Sequence, residues 1–314
     1  MKFKKPNFWD YKRPNFISYL LLPLTIPVIL NNILINIVKS KGANRDNIKT
    51  ICLGNIYIGG TGKTPLAIKL SSILKKLNYK TGIIKKFYTD QLDEQKLLNK
   101  DDKLYLFKKR KESLNAAIAE KIEVAIFDDG LQDKSVNYDI EFLCFNSEKW
   151  IGNGFLIPAG PLREKIDSIV KYDGVFLNGN NEDISNLKNL IKKYNHNIKI
   201  FETYYSPVDI DKFNLDDKYL IFSGIGNPDS FKKTLIKNGI NIVKEIKFPD
   251  HYKYSKKNIN LIKVIAKNLD AKILTTEKDY LKINNEDLKD IEFLEIDIII
   301  KKEGELINFI KSQL

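Results

Sequence analysis

Apolar and polar positions along the chain fall into blocks whose lengths and spacing separate strands from helices. A short apolar run from Thr50 reads as a buried strand, and it breaks into a glycine-rich turn ending at Gly62. Beyond that turn Leu66, Leu70, Ile73, Leu74 and Leu77 recur at helical spacing, with Lys69, Lys75 and Lys76 off the apolar face. The same reading predicts strands over 79–84, 104–107, 124–127, 140–145 and 172–177, and helices over 92–98, 113–120 and 184–194. Residues 201–205 read as the start of a link to the second half. Past residue 206, strands are expected at 219–222, 240–248, 273–275 and 293–300. Helices are expected over 230–238, from about residue 255, and at the end of the sequence. Strands alternating with helices predict an α/β fold with parallel strands. No internal repeat stands out.

One block does not fit that alternation. Phe16 to Val38 carries no charge and is long enough to span a bilayer. Pro23 and Pro27 interrupt it, and Asn31, Asn32 and Asn36 make one side polar. Basic residues flank both ends: Lys2, Lys4, Lys5, Lys12 and Arg13 before it, Lys39, Lys41 and Arg45 after it. Aromatic Phe3, Phe8, Trp9 and Tyr11 are interleaved with the first group. A span would carry a basic tail across the membrane, against the positive-inside tendency. The pattern therefore favours a helical segment lying in the membrane interface. A hydrophobic helix packed on the protein core, or a true span, are the alternatives.

Composition narrows the partners. The 314 residues suit two modest domains, and the net charge of +12 points to anionic ligands such as nucleotide or phospholipid. Abundant lysine, isoleucine and asparagine also fit a solvated basic surface. No arginine-rich tract or nucleic-acid motif is present, so no nucleic acid is expected as a partner, and no obligate protein partner is evident. Cys52 and Cys144 lie far apart in apolar runs without metal-ligand spacing. They read as buried reduced thiols.

The chemistry concentrates at the first strand–turn–helix. Gly59, Gly60, Thr61, Gly62, Lys63 and Thr64 form the phosphate-loop arrangement of strand, glycine loop, Lys-Thr and helix. Glycines let backbone N–H groups turn toward phosphate oxygens, and the helix N-terminus adds positive potential there. Lys63 is expected to reach the β- and γ-phosphates of ATP, and the Thr64 hydroxyl to hold Mg2+. Tyr57 stands where the usual pattern has its first glycine. Val124–Phe127 runs into Asp128-Asp129-Gly130, and a carboxylate at a strand's carboxyl end is the second half of such a site. Residues 152–164, rich in Gly and Pro, read as a fixed loop carrying Arg163 and Glu164. That loop presents charge to a ligand or serves as a connector.

Six ordered motifs resemble one family, the lipid A (tetraacyldisaccharide) 4′-kinases. They are Gly54-Asn55 with Gly59 to Pro65; Asp128 to Gln132; Gly152-Asn-Gly with Pro158 to Glu164; Gly224 to Pro228; Phe248 to His251; and Thr276 to Asp279. The resemblance covers nearly the whole chain. It implies an ATP- and Mg2+-dependent phosphotransferase. The implied substrate is an acylated disaccharide lipid, met at the membrane surface on the cytoplasmic face of the bacterial inner membrane. The enzyme would be peripheral or monotopic. Leu92 to Leu98 resembles the family's acidic segment, making Asp93 the base and His251 its partner, with Lys63 completing the catalytic set. The resemblance further implies substrate contacts for Asn55, Arg110, Gln132 and Arg163, with Arg110 offsetting phosphate charge. It places Thr64, Asp128, Asp129 and Glu164 around the metal.

The chain departs from the family pattern in two places. Lys85-Lys86-Phe87-Tyr88-Thr89 replaces Ser-Arg-Gly-Tyr-Gly, and Asp133 stands where a histidine is usual. The alternatives to this kinase are a membrane-associated ATPase switch and a kinase for another lipid or sugar. Ile58 counts against the switch, because such switches carry a lysine there. The predicted architecture is thus a P-loop NTPase-like parallel sheet flanked by helices, a second smaller α/β domain and an N-terminal membrane-associated helix. The expected domains are residues 1–40, the N-terminal segment; 41–205, the P-loop kinase domain; and 206–314, the smaller domain contributing to the cleft. On those boundaries Asp93 and His251 are split between domains, which implies closure before chemistry.

Overall fold

The computed structural model describes residues 5–37, 48–89, 91–100, 102–133, 135–179 and 183–314. Lys2, Lys4, Lys39, Lys41 and Arg45, read above as basic flanks, lie outside them. In chain order the first elements are α1 (Phe16–Leu20), α2 (Ile26–Ile37), β1 (Lys49–Gly54), α3 (Lys63–Lys76), β2 (Thr81–Lys86), α4 (Leu92–Leu98) and β3 (Leu104–Phe107). There follow α5 (Arg110–Ala119), β4 (Val124–Asp128), β5 (Ile140–Asn146), β6 (Gly174–Gly179), α6 (Ser185–Tyr194), β7 (Lys199–Val208) and β8 (Lys218–Ser223). The last are α7 (Pro228–Lys237), β9 (Asn241–Lys247), α8 (Lys256–Asn268), β10 (Lys272–Thr276), α9 (Glu277–Tyr280), β11 (Ile291–Ile300) and α10 (Glu303–Gln313).

These elements form two compact units. One comprises the described residues of Met1–Phe87, Asp102–Tyr204 and Ile300–Leu314; the other, those of Tyr88–Asp101 and Tyr205–Ile299. The division differs from the expected one: the described residues of 1–40 are not set apart from the first unit, and two later segments change sides. Residues 88–101 belong with the second unit, and the closing helix belongs with the first. Neither is visible in local periodicity, because each is decided by what the segment packs on.

In the first unit the strands run parallel in the order β3-β2-β4-β1-β5-β6-β7. β1 and β4 are buried almost along their whole length, as central parallel strands covered by helices must be. Residues 199–208 are a full strand rather than the start of a link: Phe201 and Thr203 are buried at alternate positions and pair with β6. The α10 side chain Phe309 lies 5.9 Å from the ring centroids of both Phe142 and Phe201. That contact is what returns the end of the sequence to this unit. Cys52 and Cys144 are free and buried.

The apolar block near the start is a five-residue helix, a 3-10 turn and a twelve-residue helix. Pro23 lies in the first turn of the 3-10 helix and Pro27 in the first turn of α2. Proline is tolerated there because the N–H it lacks would have no helical partner. No helix among the described residues is long and apolar enough to cross a membrane. The segment is strapped to the 152–164 loop. Trp9 is buried and its Nε1 donates to the Pro158 carbonyl at 3.0 Å. Asn153 Nδ2 donates to Ser18 Oγ at 2.9 Å, and Asn32 Nδ2 to the Arg163 carbonyl at 2.8 Å. Phe16, Leu20, Leu24, Ile26, Leu30 and Leu34 stay exposed.

In the second unit the parallel order is β11-β10-β8-β9. Alternate residues of β8 enter two apolar clusters: Leu220 and Phe222 with Ile259 and Ile262 of α8, Tyr219 and Ile221 with Phe231 and Leu235 of α7. A strand buried on both faces needs both helices.

Candidate active site

In the first unit the turn after β1 is held open by its own polar groups. Asn55 Nδ2 donates to the Tyr57 carbonyl at 2.6 Å and to Thr61 Oγ1 at 3.2 Å. Gly62, with φ +84°, occupies the left-handed region just before α3, where a Cβ would be strained. Gly59 and Gly60 are exposed. The 152–164 loop braces the turn from outside: Ile58 N donates to Pro161 O at 2.9 Å and Arg163 N to Ile56 O at 2.6 Å. Tyr57 packs with Leu156 and Leu162, and its hydroxyl bonds Asp10 and meets Lys5. A large residue is accommodated at the usual glycine position because its ring is buried against Leu156 and Leu162 of the 152–164 loop.

Two carboxylates meet this turn from β4. Parallel register sets Asp128 beside Leu53 of β1 and beside Lys85 of β2. Thr64 Oγ1 donates to Asp128 Oδ2 at 2.9 Å. Lys85 Nζ lies 2.7 Å from the same oxygen, both side chains almost fully buried. Asp128 Oδ1 is buried without a hydrogen-bond partner. Asp129, at φ +64°, turns the other way, with Lys63 Nζ at 3.7 Å and Arg163 NH1 at 3.3 Å. Burial pushes the Asp129 carboxyl up, but Lys63, Arg163, Lys85 and Arg110 together hold it below the usual carboxylate range.

The remaining residues of this unit form a connected shell. Gln132 Nε2 donates to Asn55 O at 3.2 Å and to Glu164 Oε1 at 3.0 Å. Its Oε1 accepts from Arg163 NH1 at 3.2 Å. Glu164 Oε2 accepts from Tyr172 at 3.1 Å, so both its oxygens are engaged. Arg110 is buried, with NH1 3.0 Å from Asp133 Oδ2 and NH2 bonded to the Asp129 carbonyl. Asp133 supplies the carboxylate that pairs with Arg110.

The second unit holds the other predicted pair. Asp93, in the first turn of α4, is buried, and its Oδ1 lies 3.2 Å from His251 Nδ1. An ionised carboxylate only accepts, so Nδ1 is the donor. His251 sits at φ +54°, with its backbone N bonded to Asp250 Oδ1 at 3.0 Å. Burial raises the Asp93 carboxyl; the His251 hydrogen bond and the charges of Lys278 and Lys282 outweigh it and bring the carboxyl below its ordinary range. Both members of the pair therefore lie in one unit, not in two as the expected boundaries had it. The 88–101 segment carries Asp93 to the side of the chain that holds His251.

Lys85, Lys278 and Lys282 have no role in the reading from sequence. For Lys85 a signal existed: a lysine inside a buried strand needs a carboxylate beside it, and Asp128 is the acid at the end of a neighbouring strand. The Thr276–Asp279 motif was visible, but which carboxylate its lysine faces was not.

Comparison with known proteins agrees with these motifs. The family model described as Tetraacyldisaccharide-1-P 4'-kinase matches residues 17–314. A "Tetraacyldisaccharide 4'-kinase" of Pelagibacter ubique (strain HTCC1062) is 52% identical over 309 residues, covering 98% of this chain and 97% of the relative. One of Rickettsia bellii (strain OSU 85-389) is 33% identical over 306 residues, covering 91% of each. A crystal structure of the "apo" form of LpxK from Aquifex aeolicus in complex with ATP aligns with TM-score 0.72 at 22% identity, covering 95% of this chain and 99% of that one. That likeness shows the fold. With a family model matched across residues 17–314 and relatives of this identity aligned over nine-tenths or more of its length, the chain belongs to the tetraacyldisaccharide-1-P 4′-kinase family.

Proposed function

We propose that the chain is an ATP-dependent phosphotransferase that moves the γ-phosphate to the 4′-hydroxyl of a tetraacyldisaccharide 1-phosphate, a step of lipid A biosynthesis. The observation that carries the donor half is the Thr64 hydroxyl 2.9 Å from Asp128 Oδ2, with Oδ1 of the same buried carboxylate unpartnered, at the mouth of a glycine turn. Hard oxygen donors with an orphaned carboxylate oxygen suit Mg2+. Thr64, Asp128 and Asp129 would hold it. Glu164 would join them by exchanging Gln132 or Tyr172. When bound, the ion would offset negative charge on the triphosphate.

This chain's own residues do the rest. Gly59 to Gly62 offer backbone N–H groups to the phosphates, and Lys63 adds its charge. Arg163 keeps Asp129 in place and, with Gln132 and Asn55, ties the glycine turn to the 152–164 loop. Those three residues and Arg110 are the proposed substrate contacts. Asp93 accepts the proton of the attacking hydroxyl, and His251 orients it. The exposed apolar residues of α1 and α2 support association with a membrane surface, peripheral rather than spanning, on the cytoplasmic side where ATP is available.

The test is ATP turnover by the purified protein with and without the acylated disaccharide, followed by mass spectrometry of the lipid. A lipid product heavier by one phosphate, absent with Lys63→Ala, is expected. ADP and inorganic phosphate formed equally with and without lipid, and no phosphorylated lipid, would refute the kinase and leave an ATPase switch.

A further inference from the structure

The Thr276-Glu277-Lys278-Asp279 motif has no task in the proposal above, yet it lies against Asp93. Thr276 Oγ1 accepts from Asp279 N at 3.1 Å and so caps the short α9. Asp279 is fully buried and gathers three other segments. Its Oδ2 accepts from Gly224 N at 2.9 Å, and its Oδ1 from Tyr254 at 2.9 Å and from Lys282 Nζ at 2.7 Å. Lys282 also donates to the Gly224 carbonyl at 2.8 Å. This frame leaves two ammonium groups facing one carboxylate oxygen. Lys278 Nζ is 3.6 Å and Lys282 Nζ 3.7 Å from Asp93 Oδ2.

Those distances are inside Coulomb range and outside hydrogen-bond range. Asp93 Oδ2 is buried and has no hydrogen-bond partner, while Oδ1 is taken by His251. A buried carboxylate oxygen with no hydrogen bond but two cations beside it is held charged, with its acceptor capacity unfilled. Among the described residues, three carboxylates neighbour these cations. Glu94, on the same helix, bonds Lys278 at 2.9 Å and lies 3.7 Å from His251 Nε2. Asp250 lies 3.7 Å from Lys278 and 3.9 Å from His251 Nε2. Asp279 holds Lys282. Burial works against the charge on Lys278, but Glu94, Asp250 and Asp93 outweigh it and keep the ammonium protonated.

We infer that Lys278 is a positioning residue of phosphoryl transfer: with Lys282 it keeps Asp93 ionised and reserves Oδ2 as the atom that takes the substrate proton. This rests on Asp93 being the base. In the step itself the substrate O–H bond breaks and its proton goes to Oδ2. The hydroxyl oxygen bonds the γ-phosphorus, and the bond from that phosphorus to the β–γ bridging oxygen breaks, its electron pair leaving with ADP. His251 fixes the carboxylate from the Oδ1 side and does not compete for the proton. Lys282 is committed to Asp279 and Gly224, so Lys278 is the cation whose removal reports on Asp93 rather than on the frame.

The test is the pH profile of kcat for the full chain with ATP and the acylated disaccharide 1-phosphate. Lys278→Met should move the acidic limb up by roughly one pH unit, the effect of losing one nearby opposite charge. Below the limb turnover falls about tenfold at a given pH, and it returns toward wild type at higher pH. Lys278→Arg should restore the limb, and KM for ATP should not change. An unmoved limb in Lys278→Met, or a loss equal at every pH, overturns the inference. If Lys278→Met does not fold, Glu94→Gln serves: removing that negative neighbour should move the limb down, and an upward or absent shift overturns the inference. Asp93→Asn, read alongside, separates the two readings. Wild-type turnover in it refutes the base itself, whereas lost turnover with an unmoved Lys278→Met limb refutes only the role of Lys278.

Discussion

Replacing Lys85 by methionine tests how the nucleotide turn is anchored. Lys85 Nζ and Asp128 Oδ2 are 2.7 Å apart, with side chains 4% and 0% exposed, so solvent does not screen the pair. Methionine fills the volume of the lysine stem, and the packing loss is small. What is lost is the charge opposite Asp128, which also accepts from the Thr64 hydroxyl. Removing one partner of a buried ion pair costs about 3–5 kcal/mol, mostly from the charge left behind. Thr64 recovers part of this, so we expect about 3 kcal/mol. At 2–4 °C per kcal/mol for domains of 150–250 residues, the first unit should melt roughly 6–12 °C lower. The assay is calorimetry or urea unfolding monitored by circular dichroism. Because the penalty is a stranded charge, Lys85→Met with Asp128→Asn should recover about half or more of it. A single variant melting within about 1 °C of wild type would refute the reasoning. So would a double variant no more stable than the single one.

The depressed Asp129 carboxyl predicts an acid-sensitive first unit. A carboxyl lowered in the folded state adds stability above its ordinary value of about 4, and that stability is lost as pH falls through the lowered folded value. Urea midpoints measured from pH 6 downward should fall below about pH 4, and Asp129→Asn should flatten that fall; an unchanged slope refutes the assignment. For the membrane, Leu24→Glu with Leu30→Glu should weaken sedimentation with anionic phospholipid vesicles at least tenfold, since each charge opposes burial of an exposed apolar side chain. Equal co-sedimentation of variant and wild type would show that another surface docks.

What the sequence discloses here is what is local. The turn from β1 into α3, and the acid at the end of β4, follow from apolar spacing and glycine placement within a dozen residues of each other. Asp93 and His251 were paired through resemblance, and the 3.2 Å between them bears on a contact that periodicity cannot supply. Lys85 read only as a departure from a motif, because its meaning depends on a register between β2 and β4 some forty residues apart in the chain. Arg110 was placed toward substrate through resemblance; its ion pair with Asp133, itself read only as a substitution, and its bond to the Asp129 carbonyl are long-range contacts that no local pattern shows. Residues 201–205 looked like the start of a link because only alternate positions of β7 are buried, which weakens the apolar signal. The units differ from the expected boundaries for a related reason: an inserted segment carries no mark of what it will pack on.

The return of α10 to the first unit has a consequence for biosynthesis. Phe309 seals an aromatic patch shared with Phe142, Phe176 and Phe201. A ribosome makes those three rings well before it makes Phe309, with the whole of 205–299 translated in between. The nascent protein must therefore shelter an open aromatic seam while a later module is being built, and the nucleotide-binding half reaches its finished form last although it is begun first.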